Sequence, residues 1–172
     1  MITTLLIIGY IVSFIIILGI AGLMWWGRSA QNRTSANPNS NLSANALEAL
    51  ETSYDFGKIS MAQGLVEKIF KVSNSTSQEV TLERVTTSCM CTVAYVETAD
   101  SEEKGPFGMV GHGGSVPKVN EIIKPGESRN IRVVFDPNAH GPAGIGLINR
   151  VVTLEDNLGR NLELQIKAVV TP

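Results

Sequence analysis

The sequence is poor in the two residue types that most often crosslink proteins, bind metals or catalyse reactions. It contains only two cysteines, Cys89 and Cys91, and two histidines, His112 and His140, among 172 residues. Because the cysteines are one residue apart, they cannot form the long-range bridge that joins the two sheets of an antibody domain. Burial of apolar side chains must therefore stabilise the fold.

The sequence also lacks the motifs of common enzymes and of nucleic-acid-binding proteins. Its 14 basic and 16 acidic side chains give a formal net charge of −2 and form no basic run, so nucleic acid is not an expected partner. Neither a His-Glu-x-x-His motif nor a lysine-ended glycine loop occurs. A cysteine–histidine nucleophile would need His112 or His140 as its base, and both lie in glycine- or proline-rich segments, where His140 is interpreted as a turn residue. We therefore expect no enzyme.

The first 27 residues carry no charged side chain, and the first charge is Arg28. A helix of about 25 residues is about 37 Å long, enough to cross a hydrocarbon core of about 30 Å. Trp25 and Trp26 lie where an aromatic belt would meet the lipid headgroups. A cleaved signal peptide has a shorter apolar run preceded by basic residues. We therefore interpret residues 1–27 as a retained single-pass transmembrane anchor, with residues 2–26 in the membrane.

The anchor is followed by a polar segment. Residues 28–47 contain five Asn and four Ser, a composition that cannot bury enough apolar surface to offset the entropy of ordering. The sequence therefore predicts a flexible tether between the anchor and a domain over residues 48–172.

From residue 48 onward the hydrophobic pattern indicates β-strands. Residues 161–170 alternate between apolar and polar side chains, and residues 129–135 repeat this period of two. Turn sequences such as Lys124-Pro-Gly-Glu127 separate the short strands, which is typical of an all-β sandwich. The predicted strands are 53–59, 65–72, 79–86, 92–97, 119–123, 129–135, 146–154 and 161–170.

One segment interrupts the regular succession of strands. Residues 98–118 contain five glycines and two prolines within Ser101–Pro117, and they predict a long glycine-rich loop. Loops of this length inside a compact domain are uncommon and often have a function.

The Cys-Met-Cys segment is the candidate site. In an extended strand Cys89 and Cys91 would point to the same face, with Cα atoms roughly 6.5–7 Å apart. That is the upper edge of the span of a disulfide, about 4.4–6.8 Å, so a bridge would need a bent backbone. Two parallel thiols would suit Cu(I), which prefers thiolate and thioether ligands. The loop glycines would allow Met109 and His112 to fold over the cysteines, and Met90 could join only if the segment turns.

Three interpretations of this segment therefore stay open. The cysteines are buried structural thiols, since cysteine is among the most buried residue types. Alternatively they are a thiol–disulfide pair. In the third interpretation they form a Cu(I) site whose candidate ligands are Cys89, Cys91, Met90, Met109 and His112.

Several short motifs follow one another in a characteristic order. They are Tyr54-Asp-Phe-Gly-Lys-Ile59, Phe70-Lys-Val-Ser-Asn74, Val85-Thr-Thr-Ser-Cys-Met-Cys-Thr92, Ile123-Lys-Pro-Gly-Glu127 and Val133-Val-Phe-Asp-Pro137. Together they resemble the bacterial family catalogued as Domain of Unknown Function 1573 over about residues 53–170. The resemblance implies a seven-stranded immunoglobulin-like sandwich, exported and often membrane-tethered, with no established activity. The chain departs from the family at Met90, where a glycine is usual, and in its long loop.

Two signals in the sequence disagree about the side of the membrane on which the domain lies. Arg28 and Arg33 follow the anchor, and the positive-inside rule would then leave the domain in the cytoplasm. The tether composition and the family resemblance favour the exported side, and we give them more weight. The expectation is a non-enzymatic, membrane-tethered immunoglobulin-like module of the bacterial envelope that binds another envelope protein. The alternative is a copper-binding or thiol-redox protein that uses the Cys-Met-Cys segment.

Overall fold

The computed structural model describes residues 46–111 and 117–172. The predicted anchor 1–27, nearly all of the predicted tether and the candidate ligand His112 lie outside the described residues. Within those two described ranges, no helix is long and apolar enough to cross a membrane.

The described chain forms ten strands in two five-stranded sheets. The strands are β1 (Leu47–Ala49), β2 (Ser53–Ser60), β3 (Val66–Asn74), β4 (Val80–Thr87), β5 (Thr92–Glu97), β6 (Glu103–Phe107), β7 (Glu121–Ile123), β8 (Ser128–Phe135), β9 (Gly146–Asp156) and β10 (Asn161–Thr171). The first sheet has the order β1-β3-β8-β5-β6, and the second has the order β2-β10-β9-β4-β7. Neighbouring strands are antiparallel except for β2 and β10, which are parallel. The prediction of an all-β sandwich is confirmed.

The period of two in the sequence explains how the sheets pack. In β10 the side chains of Leu162 and Leu164 are buried, whereas Glu163 between them is exposed. Phe70 of the first sheet and Leu82 of the second belong to the same apolar cluster, together with the inward-facing residues of most strands. Each such large side chain stabilises the fold by about 1.5–3 kcal/mol when it leaves water. One shared core therefore joins the two sheets.

All eight predicted strands are present, with ends within two residues of the prediction. The structure adds β1, at the end of the predicted tether, and β6, inside the predicted loop, so it has more strands than the seven implied by the family resemblance. The pattern of β6 is hidden by Gly105 and Pro106, which are tolerated because β6 is an edge strand. Gly105 has φ +141°, and a Cβ there would lie 2.9 Å from the carbonyl oxygen of Ala94, so this close approach to β5 needs glycine.

A buried ion pair joins the two sheets beside β7. The Glu121 carboxylate, only 6% exposed, accepts hydrogen bonds from Nε of Arg129 on β8 at 2.9 Å and from Nζ of Lys104 on β6 at 3.1 Å. The backbone N–H of Ala99 also donates to this carboxylate, at 3.1 Å. Burial opposes ionisation, but these three donors together outweigh it and hold the pKa of Glu121 below its ordinary value. Because Glu121 lies in the second sheet and both cationic donors in the first, the contact is a cross-sheet link.

Lowering the pH should weaken this link. The folded pKa of Glu121 lies below its ordinary value of 4.5, so its contribution to the free energy of unfolding is complete above the unfolded pKa and is lost as the pH falls through the folded pKa. We expect Glu121→Gln, which leaves Arg129 paired only with the more exposed Glu127, to lower the free energy of unfolding at neutral pH by about 1–3 kcal/mol. The same variant should lose part of the acid sensitivity.

Urea unfolding of the full chain in detergent, at several pH values between about 3 and 7, measures both effects. The control is Glu163→Gln, which neutralises an exposed carboxylate of β10. Equal losses of stability in the two variants would contradict a special role for the buried pair.

Candidate functional site

The Cys-Met-Cys segment lies in a tight turn that connects the two sheets. β4 of the second sheet ends at Thr87, and β5 of the first sheet begins at Thr92. The N–H of Thr92 donates to the carbonyl oxygen of Cys89 at 3.1 Å, which closes a β-turn with Met90 at its exposed corner. The extended backbone considered from the sequence is therefore wrong here. The Cα atoms of the two cysteines are 5.3 Å apart, because the chain reverses direction between the sheets within residues 88–91.

Hydrogen bonds on both sides hold the turn in place. The buried hydroxyl of Thr87 lies 3.0 Å from the carbonyl oxygen of Cys89 and 2.9 Å from that of Thr92, and it donates to these oxygens. The N–H of Ser88 donates to the carbonyl oxygen of Val151 at 2.9 Å, and the Ser88 hydroxyl accepts from the Val151 N–H at 2.9 Å. The backbone of the turn is therefore secured to β9 by contacts that do not involve the sulfurs.

The two cysteine sulfurs lie at disulfide distance but differ in burial. Cys91 is 3% exposed and belongs to the apolar core, whereas Cys89 is half-buried at the edge of that core. A bridge between them closes a loop of only three residues. By the chain-entropy relation such a loop stabilises the fold by about 2 kcal/mol, against about 3 kcal/mol for a 15-residue loop. A bridge here would therefore constrain the unfolded chain less than a bridge across a longer loop.

Two basic side chains contact the two sulfurs separately. Nε2 of His140 lies 3.2 Å from Sγ of Cys89, and Nε of Arg150 donates to Sγ of Cys91 at 3.2 Å. The backbone N–H of Cys91 also donates to Sγ of Cys89, at 3.4 Å. His140 is exposed and Arg150 is half-buried. The site is therefore open to solvent on the Cys89 side and closed on the Cys91 side.

Strand register brings His140 to the cysteine turn. Thr92 at the start of β5 pairs with Phe135 at the end of β8, so the connection from β8 to β9 begins beside the turn. In that connection the carboxylate of Asp136 accepts a hydrogen bond from the N–H of Asn138 at 2.8 Å, an Asx turn that bends the chain. His140 follows at the end of this bend. His140 lies in a turn, as predicted, but its contact with Cys89 was not predicted.

Register also brings Arg150 to the site from the opposite side. Thr87 at the end of β4 pairs with Val152 of β9, so Arg150 lies just past the end of β4. Ile148 and Val152 on β9 face the core, and Arg150 has the same parity between them. An arginine at an inward-facing position of a strand is a signal that was present in the sequence, and sequence analysis did not use it.

Four of the five predicted metal ligands lie within the described residues. Cys89 and Cys91 are together, and Met90 is next to them with 54% of its surface exposed. Met109 is half-buried and follows Gly108, whose carbonyl oxygen accepts from the N–H of Thr87 at 3.2 Å. The glycine-rich loop thus leaves β6 beside the cysteine turn. The fifth predicted ligand, His112, lies outside the described residues and stays a prediction.

The site offers two kinds of chemistry. A closely spaced pair of cysteines can interconvert between a disulfide and two thiols. A guanidinium beside one sulfur favours the thiolate form of the reduced pair. Cys89, Cys91 and His140 also offer three donor atoms that lie within 4.8 Å of one another. Two thiolates and one imidazole are ligands that soft metal ions accept.

Comparisons with known proteins bear on the family and the fold. No curated protein matches the chain. Among solved structures, a protein of unknown function from Porphyromonas gingivalis W83 is similar with a TM-score of 0.52 and 18% sequence identity, over 72% of this chain and 46% of that chain. The chain thus spans less than half the length of that protein, and the similarity concerns the fold alone.

Two further solved structures are more distant. The secreted serine protease VesC from Vibrio cholerae is similar with a TM-score of 0.45 and 9% identity, over 74% of this chain and 24% of that chain. A family 123 glycoside hydrolase from Clostridium perfringens gives a TM-score of 0.48 and 7% identity, over 69% and 22% of the two chains. Both similarities are too low to carry an argument.

The family comparison agrees with the motifs. The model of the family described as "Protein of unknown function (DUF1573)" matches residues 47–108, a stretch that includes the cysteine turn. This is the family that the order of motifs along the sequence resembles, and the resemblance is confirmed over the matched stretch. Over residues 47–108 this chain is therefore similar to the family described as "Protein of unknown function (DUF1573)".

Proposed function

We propose that this protein is a membrane-tethered, immunoglobulin-like module of the bacterial envelope whose reactive centre is the Cys89–Cys91 pair. The pair undergoes reversible thiol–disulfide exchange with a dithiol of another envelope protein, to which the domain binds. The observation that carries this proposal is a pair of sulfurs at disulfide distance in a connecting turn, with His140 on one sulfur and Arg150 on the other. The exchange is stoichiometric, so the protein is a reaction partner and not an enzyme.

The sequence supplies the support for the cellular setting. The uncharged residues 1–27 support a membrane anchor, and the polar residues 28–47 support a tether. An exported domain would meet the oxidising conditions in which a disulfide persists. The redox chemistry and the exported location thus support each other.

The unequal burial of the sulfurs determines which of them an incoming thiolate attacks. An incoming thiolate reaches the half-buried Sγ of Cys89 and forms a new S–S bond with it, while the bond between Cys89 and Cys91 breaks. Cys91 leaves as a thiolate, which the hydrogen bond from Arg150 stabilises. A second thiolate of the partner then attacks the partner sulfur in the mixed disulfide and releases Cys89. The partner is oxidised to a disulfide, and this site gains two electrons.

The first test is the state and order of reaction of the thiols. We expect the full-length chain purified without reductant to show no free thiol, and both of its cysteines to become free after treatment with dithiothreitol. In glutathione buffers of graded potential the two thiols should appear in one two-electron step. Quantitative alkylation followed by mass spectrometry measures the number of free thiols.

Single-cysteine variants test the direction of exchange. Cys91→Ser retains the half-buried Cys89 and should form a mixed disulfide with oxidised glutathione at least about tenfold faster than Cys89→Ser, which retains the buried Cys91. Faster reaction of Cys89→Ser would contradict the proposal that the incoming thiolate attacks Cys89. Two free thiols in the wild-type chain at every potential would contradict the proposed function itself.

The second test concerns the leaving group. Replacing Arg150→Gln removes the positive charge beside Cys91, so the Cys91 thiolate should be a poorer leaving group and reduction by dithiothreitol should be slower by about tenfold. The control is Arg84→Gln on β4, which breaks an ion pair with Glu155 on the same sheet but does not touch a sulfur. Stopped-flow reduction rates at one pH compare the three proteins. An equal effect of the two variants would mean that only the net charge matters.

The third test concerns location. In intact spheroplasts a membrane-impermeant maleimide should label Cys89 of the full-length Cys91→Ser variant as completely as it does after lysis, because the domain is proposed to lie on the exported side. A cytoplasmic thiol of a resident soluble protein serves as the control for membrane integrity. Labelling that requires lysis would place the domain in the cytoplasm, where the positive-inside rule would have it.

A further inference from the structure

We propose that the reduced form of this site is a Cu(I)-binding site whose three ligands are Sγ of Cys89, Sγ of Cys91 and Nε2 of His140. The inference rests on the proposed function, because an external dithiol must first reduce the disulfide and supply its two electrons. It differs from the sequence expectation in its third ligand, which is His140 and not a residue of the glycine-rich loop.

The three donor atoms lie close enough to share one ion. All of them lie within 4.8 Å of one another, and Nε2 of His140 is 3.2 Å from Sγ of Cys89. Bonds from sulfur and nitrogen ligands to a first-row ion such as Zn²⁺ are about 2.3 Å and about 2.0–2.1 Å long, so two ligands of one ion of this size stand roughly 3.5–4 Å apart. The imidazole therefore needs only a small adjustment to complete the site.

The disulfide and the ion exclude each other. Bonded sulfurs are about 2 Å apart, so they must separate by roughly 1.5–2 Å before both can bind one ion. In the disulfide neither sulfur is a thiolate, and reduction must add one electron to each before they can bind the ion as two thiolates. Copper binding is therefore possible only after reduction, and a bound ion should protect the pair from oxidation. The site is a redox-gated metal site.

The ligand set favours Cu(I) over other ions. Thiolates are soft ligands that suit Cu(I) as well as Zn²⁺, and Cu(I) does not require a fourth ligand. Zn²⁺ can also bind two cysteines and one histidine, but it then takes a water or substrate as its fourth ligand, because the three donors grouped among the described residues do not complete a tetrahedron. Two thiolates and one Cu(I) leave a net negative charge, and the guanidinium of Arg150 offsets it through its hydrogen bond to Cys91. The buried side of the site therefore tolerates the charge of the complex.

The position of the site suits exchange of the ion with a partner. Cys91 is held inside the apolar core, whereas Cys89 is half-buried and His140 is exposed. One face of the ion would be shielded by protein, and the other would be open to solvent. A ligand from a second protein could approach only from the open face, between Cys89 and His140.

The experiment is an anaerobic Cu(I) titration of the full-length chain in detergent against the chromogenic chelator bicinchoninate. The reduced wild-type chain should take one Cu(I) from the chelator, and the oxidised wild-type chain, which is the matched control, should take none. Cys89→Ser and Cys91→Ser should each abolish uptake. X-ray absorption at the copper edge should show two sulfur neighbours and one nitrogen neighbour for the wild-type complex.

Variants of the two histidines test which histidine is the third ligand of Cu(I). Removing a supporting hydrogen bond near a metal costs about 10–100-fold in affinity, so loss of a ligand in His140→Ala should weaken Cu(I) binding by at least about tenfold. His140→Gln is a second variant, and circular dichroism checks that both remain folded. Weakened binding in His112→Ala with unchanged binding in His140→Ala would overturn the ligand assignment. Copper uptake by a Cys89→Ser, Cys91→Ser double variant equal to that of the wild type would overturn the site.

These failures are distinguishable from failure of the proposed function. Thiol counting in metal-free protein reports on the disulfide alone, and copper titration of the reduced protein reports on the metal site alone. A chain that forms and exchanges its disulfide but takes up no Cu(I) when reduced would overturn this inference and leave the exchange reaction intact. A chain that takes up Cu(I) but never forms a disulfide would overturn the proposed function and the redox gate.

Discussion

Two connections between the sheets, at the same end of the sandwich, decide where the chemistry of this protein lies. Residues 88–91 carry the chain from β4 to β5, and residues 136–145 carry it from β8 to β9. The pairing of β5 with β8 in the first sheet sets these connections side by side, and the N–H of Asp136 donates to the carbonyl oxygen of Cys91 at 2.9 Å. A change of register by one residue would turn the side chains to the opposite face. The contact between His140 and Cys89 therefore depends on the register of the whole sheet.

The apolar core supplies both the stability and the asymmetry of the site. Because one core is shared by the two sheets, the turn that carries the cysteines must pass over its rim. One sulfur enters the core and the other stays at the edge, so two chemically identical thiols differ in access to solvent and in their polar contacts. In the proposed exchange reaction and the proposed copper site, this difference would leave one side open to solvent. Burial, which holds the fold together, thus also distinguishes the roles of Cys89 and Cys91.

The regular part of the fold could be read from local pattern. Alternation of apolar and polar residues predicted the strands that span the sandwich, because each such strand buries one face. β6 escaped prediction because glycine and proline mask its pattern, and β1 because its three residues directly follow the polar tether segment. The connection that holds Cys89 and Cys91 falls between two predicted strands, but its tight turn was not predicted, since no local pattern specifies how the chain bends there. Arg150 could have been noticed, because a charged residue at an inward-facing position needs a partner.

The sequence by itself determined the class of fold and the similarity to the DUF1573 family over residues 47–108, because period-two patterning and short motifs are local properties of the chain. It also singled out the cysteine pair, whose one-residue spacing is visible without any structure. Only the tertiary structure decided which residues surround that pair. His140 lies 51 positions and Arg150 lies 59 positions from the sulfur that each contacts. Such separations are bridged by strand pairing and core packing, which no local pattern specifies.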